Sequence, residues 1–271
     1  MLATAPKEKT SPQTTSARSV PSKDSKSPFL FADHLVLDNS PTRDFYIELL
    51  RGLAHKNNNV LAVVQGFSSL ILMGDNLDEN TRENIGQMRN SAQHSSSLSE
   101  RVLSTGGCGK ISPQSIQLSD FLPLADGLRD ICSNAGVGFT QNITKGIPPI
   151  VGDINRLRDI FVELVKNAAE GAAHDVAGHV QLDVLAPGEA SPLSENRVDI
   201  FIRNNGPGIP EQRLAEMFLP FETTKGSNHF GIGLTTAGVL AGQMGMRLGI
   251  ASETDVTTVW VSAPVFDPET L

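Results

Sequence analysis

Cysteine is almost missing from this 271-residue chain. Only Cys108 and Cys132 occur, spaced too widely for a metal-binding knuckle and too few for a disulfide framework. A reducing compartment is the simpler expectation, and neither thiol is assigned a function. Positive charge is also in short supply: 22 Lys and Arg stand against 30 Asp and Glu, a formal net charge of −8. That balance argues against a binder of duplex nucleic acid, which usually presents a basic face. Long hydrophobic runs are lacking as well. The N-terminus has no apolar signal core, and the longest apolar-rich stretch, Leu61 to Met73, is interrupted by Gln65, Gly66, Ser68 and Ser69. No membrane span is expected, and the chain reads as cytoplasmic.

What is present is enough apolar sequence for a core, 39% of the residues. The first 28 residues are rich in Ser, Thr, Pro and Lys and read as a flexible tail, which the domain division extends to residue 38. Asn39-Ser40-Pro41 then offers a helix cap followed by a first-turn proline. Leu50, Leu53, Asn57, Val60, Val64, Phe67 and Ile71 recur at steps of three and four, a packed-helix seam with one polar break. A second helix starts near Asp78, carries Ile85, Met88, Ala92 and Val102, and closes at Thr105-Gly106-Gly107. Residues 39–109 are therefore expected to form a helical hairpin. Two helices alone have little core, so dimerisation into a four-helix bundle is expected, the alternative being a hairpin packed on its own C-terminal domain.

Residues 110–271 alternate strand and helix: strand 115–118, helix 120–135, strand 138–144, helix 154–172, strands 179–185 and 197–203, a long loop, helix 235–244, and strands 247–252 and 257–264. The fold class is α+β, a helical hairpin followed by an α/β sandwich whose mixed sheet has helices on one face.

Three stretches of this second part carry chemistry. On the helix from Asp153 to Glu170, Glu163 and Asn167 stand one turn apart, off the stripe formed by Leu157, Ile160, Phe161, Leu164 and Ala168. Two oxygen-bearing side chains at that spacing suit a hard cation, although such a pair is also ordinary on a solvated face. Asn204-Asn205-Gly206-Pro207-Gly208-Ile209 follows a strand, where glycines permit either a close approach to a flat ligand or a plain turn. Thr223, Thr224, Lys225 and Gly226 precede Gly231-Ile232-Gly233-Leu234 at a helix start, a combination that favours phosphate.

In their order these blocks resemble the ATP-binding domain of two-component histidine kinases, whose fold is shared with Hsp90, gyrase and MutL. Glu163 to Asn167 resembles the N box, Asn205 to Ile209 the first glycine box, Met217 to Gly226 the F box and lid, and Gly231 to Leu234 the second glycine box. The resemblance implies ATP and Mg²⁺ as ligands. Asn167, with Glu163, would serve the metal, and Asn204, Gly206, Gly208, Thr223, Thr224, Lys225, Gly231, Gly233 and Thr257 would serve the nucleotide.

Leu53-Ala54-His55-Lys56-Asn57-Asn58-Asn59 is similar to the H box of the dimerisation and phosphotransfer domain in its His-x-x-Asn-Asn form. With Leu50 and Leu53 on the seam, His55 falls on the outer face, where a neutral imidazole can attack a γ-phosphoryl group. Asn59 matches a position that orients water for dephosphorylating a partner, and Glu163 resembles the general base of the ATPase relatives. Lys56 stands where the family commonly has Asp or Glu, and Asn204 where it usually has an Asp that binds adenine. The resemblance implies a kinase that autophosphorylates on His55 and passes the group to a response-regulator receiver domain; the homodimer is expected from the hairpin, and with no membrane segment or evident sensor its input is expected in trans, or not at all. A phosphotransferase or phosphatase adaptor with a weakened ATP site is the second reading, and a hydrolytic ATPase using Glu163 the third.

Overall fold

A computed structural model describes residues 29–31, 41–74, 76–106, 111–124, 127–175, 177–188, 196–214, 216–223 and 230–269. The hairpin is present as α1 (Pro41–Leu72) and α2 (Glu79–Thr105). Asp78 caps α2 by accepting from the Thr81 amide at 2.9 Å. The expected seam, however, is not the surface that α1 turns to α2. Ile47, Ala54 and Ser68 are the buried positions of α1, while Leu53, Val60 and Phe67 are exposed at 58%, 63% and 64%. The reason lies in α2, where Ala92 and a run of serines present a small, polar surface. Asn57 donates to Ser99 Oγ at 2.7 Å and Gln65 to Ser96 Oγ at 3.4 Å. The large apolar stripe of α1 is left open.

The rest of the chain builds a six-stranded sheet. It contains β1 (Phe29–Leu30), β3 (Gly138–Ile143), β5 (His179–Leu185), β6 (Arg197–Asn205), β7 (Arg247–Ser252) and β8 (Val256–Pro264), in the order β1-β7-β8-β6-β5-β3. Only the β3–β5 pairing is parallel. A separate two-stranded ribbon joins β2 (Gln114–Ile116) to β4 (Ile150–Gly152). One apolar core holds α5 (Ile154–Ala172) and α7 (Gly233–Gln243) against the sheet. On the other face Trp260 Nε1 donates to Asp199 Oδ1 at 2.8 Å, and Arg203 pairs with Asp183.

Three sequence expectations need correction. The single helix expected at 120–135 is two, α3 (Leu118–Leu124) and α4 (Leu128–Asn134), with Pro123 at the end of the first, where a missing N–H and the ring oppose continuation. The long loop before α7 contains α6 (Glu211–Leu214) and a 3-10 turn, Glu216–Phe218. Phe29 and Leu30, which the division at residue 38 placed in the tail, form an edge strand, and the Phe31 ring that follows is buried. The remainder of that tail lies outside the described residues, as do Asn39, Ser40 and Cys108.

Candidate functional site

Helix α5 is the spine of the site. Asp153 caps it, accepting from Asn155 N at 2.9 Å and Arg156 N at 3.2 Å, and also from Ser112 N at 2.9 Å. Burial pushes the Asp153 carboxyl up, but the backbone donors outweigh it and hold the group below its usual range, so the cap is ionised at neutral pH. Leu157, Ile160, Phe161, Leu164 and Ala168 sink into the core as expected. Glu163, Asn167 and Gly171 are half-buried and follow one another at four-residue steps along the helix. Eight residues of helix rise about 12 Å, which gives the row two distinct ends.

At one end Glu163 meets α7. A Cβ placed on Gly233 would collide with Glu163 Oε2, so the second glycine box lets the helix start sit directly against this carboxylate. At the other end a Cβ on Gly171 would lie 2.9 Å from Asn204 Nδ2. Asn204 is buried and faces Thr257 across the β6–β8 ladder, while the Thr257 hydroxyl lies 2.9 Å from Ser252 Oγ. The Asn204 Nδ2 donates to the Asn205 carbonyl at 3.0 Å, which orients Oδ1 as the acceptor end. The structure thus joins Glu163 with Gly233, and Asn204 with Thr257, and puts Asn167 between the two pairs.

The first glycine box, open to either a close ligand approach or a plain turn, bonds to a neighbouring turn. Gly206 N donates to Asp255 O at 3.2 Å and Gly208 N to Thr254 O at 2.9 Å, both in the turn between β7 and β8. The close approach at Gly208 is to the Glu253 carbonyl. Farther on, Phe221 N donates to Gly231 O at 2.8 Å, so the two ends of the segment that begins with exposed Thr223 are held together. Thr224, Lys225 and Gly226 lie outside the described residues.

His55 is exposed on α1, with Asn59 Nδ2 at 3.5 Å from its Nε2. The antiparallel contact of Asn57 with Ser99 sets the hairpin register, and two residues along each helix bring His55 level with Arg101. Arg101 in turn pairs with Glu163 at 2.6 Å, and four residues later Thr105 Oγ1 lies 2.6 Å from Thr236 Oγ1 of α7. The end of α2 therefore grips the ATP-type domain. Glu163, which the resemblance offered as metal ligand or general base, is paired with Arg101.

Sequence reasoning missed Arg101, Thr105 and Gly171. The first two look like ordinary polar positions on a helix face, and only their partners in another part of the chain distinguish them. Gly171 did carry a signal, being a glycine near the end of a strongly periodic helix.

Residues 152–266 match the model of the histidine kinase-, DNA gyrase B- and HSP90-like ATPase family. Sensory histidine kinase/phosphatase NtrB of Azospirillum brasilense is 28% identical over 246 residues, covering 80% of this chain and 61% of NtrB. The crystal structure of full-length ShkA in complex with AMPPNP has a TM-score of 0.67 at 26% identity, covering 80% of this chain and 46% of that one. Histidine kinase ThkA, solved in complex with response regulator protein TrrA, shares the fold, with a TM-score of 0.55 at 18% identity over 83% of this chain and 63% of its own. The chain spans less than two thirds of the length of each.

Proposed function

We propose that this chain, which belongs with the two-component sensor histidine kinases, phosphorylates its own His55 from Mg²⁺-ATP and passes the phosphoryl group to an aspartate on a separate receiver domain. The observation that carries the reading is the row along α5. Asn204 and Thr257 form a polar, buried end fitted to a base, and Glu163 beside the α7 start forms an end fitted to phosphates. His55 stands at the height of Arg101, the residue that holds the phosphate end.

The proposed chemistry balances simply. Asn59 Nδ2 lies 3.5 Å from His55 Nε2, and attack uses the tautomer with the ring proton on Nδ1 and the lone pair on Nε2. Nε2 attacks the γ-phosphorus as Asn59 moves aside, an N–P bond forms, the bond to the β-phosphate oxygen breaks, ADP leaves, and the Nδ1 proton passes to solvent, to which His55 is exposed. Mg²⁺, when bound, supplies charge neutralisation at the phosphates. Among the described residues no cluster of three His, Cys, Asp or Glu side chains suits a metal ion. The donor set fits Mg²⁺ all the same, since this ion takes one or two protein oxygens and completes its shell from phosphates and water. Asn167 is the proposed protein ligand, joined by Glu163 once Arg101 releases it. The test is transfer of label from γ-labelled ATP to the protein in an acid-labile, base-stable form; no label from a chain that binds nucleotide would favour the adaptor reading.

Arg101→Ala is expected to speed this labelling. Opening a half-exposed ion pair costs up to about 1 kcal/mol, so removing it raises the initial rate by no more than about fivefold. A fall in rate would show that Arg101 serves the phosphates and does not restrain Glu163.

The homodimer is proposed on the open stripe of α1. Leu49, Leu53, Val60, Val63, Phe67 and Leu70 are all exposed within a single chain, and burying each against a second copy gains about 1.5–3 kcal/mol. Sedimentation at twice 29.0 kDa is expected for the wild type, and at the single-chain mass for a Val60→Glu, Phe67→Glu double variant. In this reading residues 39–109 carry the acceptor and 110–271 the ATP domain, with β1 belonging to the latter. The cytoplasm is the proposed setting and a protein acting in trans the proposed input. Cys132 is a free, buried thiol that burial pushes up to about 11, which makes it inert there.

A further inference from the structure

Strand β1 precedes the hairpin in sequence but belongs to the ATP domain in space. Phe29 pairs with Ile250 and Leu30 with Gly249 on the edge of β7, and Phe31 N donates to Leu248 O at 2.8 Å. The Phe31 ring is buried at 7% exposure. It meets Phe218 edge to face at 5.5 Å between centroids, and a Cβ on Gly238 would lie 2.5 Å from it, so α7 carries a glycine where the ring presses. Phe218 closes the 3-10 turn of the F box, and its carbonyl accepts from Thr235 Oγ1 at 2.9 Å in the first turn of α7. Phe31 is thus wedged between the F box and α7, the helix whose first residue abuts Glu163.

We propose that Phe31 is a positioning residue for the phosphate end of the nucleotide site, and that docking of β1 on β7 sets nucleotide affinity. The inference rests on the nucleotide-binding reading above. Its physical basis is that the wedge fixes α7 against the F box. Without the ring, α7 loses the neighbour packed at Gly238 and shifts against the F box, so that the N–H groups at its start no longer converge on phosphate. The chain runs from Phe31 to α1 through only nine positions, 32–40. Any partner that pulls on the segment ahead of the hairpin would act on the same wedge, and so on the ATP site.

The test uses the full chain with Mg²⁺ and AMPPNP, followed by calorimetry, together with labelling kinetics for ATP. Phe31→Ala is expected to weaken AMPPNP binding and raise KM for ATP by about fivefold or more, with kcat within about twofold, and Phe31→Leu to recover most of the loss. Phe29→Pro removes a donor to β7 and leaves the Phe31 ring in place, so it covers the case in which Phe31→Ala fails to fold; the same rise in Kd is expected. Two folded variants that bind AMPPNP as tightly as the wild type would overturn the inference, as would a fall in kcat at unchanged KM. A wild-type chain that binds no AMPPNP would instead remove the nucleotide reading itself.

Discussion

His55→Gln will abolish acid-labile labelling from γ-labelled ATP while leaving AMPPNP binding and thermal stability in place. Glutamine is neutral and polar like the imidazole, but its amide nitrogen has no lone pair available for attack on phosphorus. The loss should therefore be complete rather than partial. Stability should move by less than about 0.5 kcal/mol, because His55 is exposed and off the stripe of Ile47, Ala54 and Ser68 that packs against α2. His94, the exposed histidine of α2, supplies the control: His94→Gln should keep full labelling. Label that survives His55→Gln and disappears with His94→Gln would move the acceptor to the second helix. The same pair of variants bears on Lys56. Lys56 offers no carboxylate to accept the ring proton, so labelling by the wild type would mean that no acidic neighbour is needed.

Gly208→Ala is expected to destabilise the domain severely. The added Cβ would run into the Glu253 carbonyl and stand 3.0 Å from that of Thr254, both backbone atoms that cannot rotate away. The Gly208 N–H is meanwhile bonded to Thr254 O, so moving the turn breaks a bond as well as relieving a clash. Overpacking of this kind costs about 3 kcal/mol, which for a domain of this size lowers the melting temperature by about 10 °C. Calorimetry beside a melting curve distinguishes two roles for the residue. A lowered melt with nucleotide affinity falling in parallel means that Gly208 serves the β7–β8 turn. An unchanged melt with weakened AMPPNP binding would mean that its space belongs to the ligand, as the glycine-box comparison implied.

Several parts of this protein were legible before any coordinates. Helix α5 has the same limits in sequence and structure because its apolar spacing, its Asp153 cap and its length all agree, and nothing in the tertiary fold opposes them. Strand β5 likewise matches residue for residue. The order of the N box, glycine boxes and F box resembled the histidine-kinase ATPase domain, whose family model then matched residues 152–266. The hairpin was legible too, but its packing was not. A stripe at helical spacing says that a face is apolar; it does not say which neighbour covers it. The serines of α2 decided that the covering surface is the adjacent stripe, and left Leu53, Val60 and Phe67 outward.

The sequence by itself determined that a helical hairpin precedes an α/β sandwich, with His55 on the first helix and two glycine-rich blocks beside strand and helix ends. Those properties depend on short-range periodicity, capping and turn chemistry, which act within a few residues. Only the tertiary structure decided that Arg101 grips Glu163, that Gly171 makes room for Asn204, that Gly208 belongs against the Glu253 carbonyl, and that Phe31 leaves its Ser- and Pro-rich surroundings to become core. Each of these pairs positions between 33 and 207 residues apart in the chain. Their energies arise from packing and charge contacts that exist only after the sheet has closed, so no local pattern announces them.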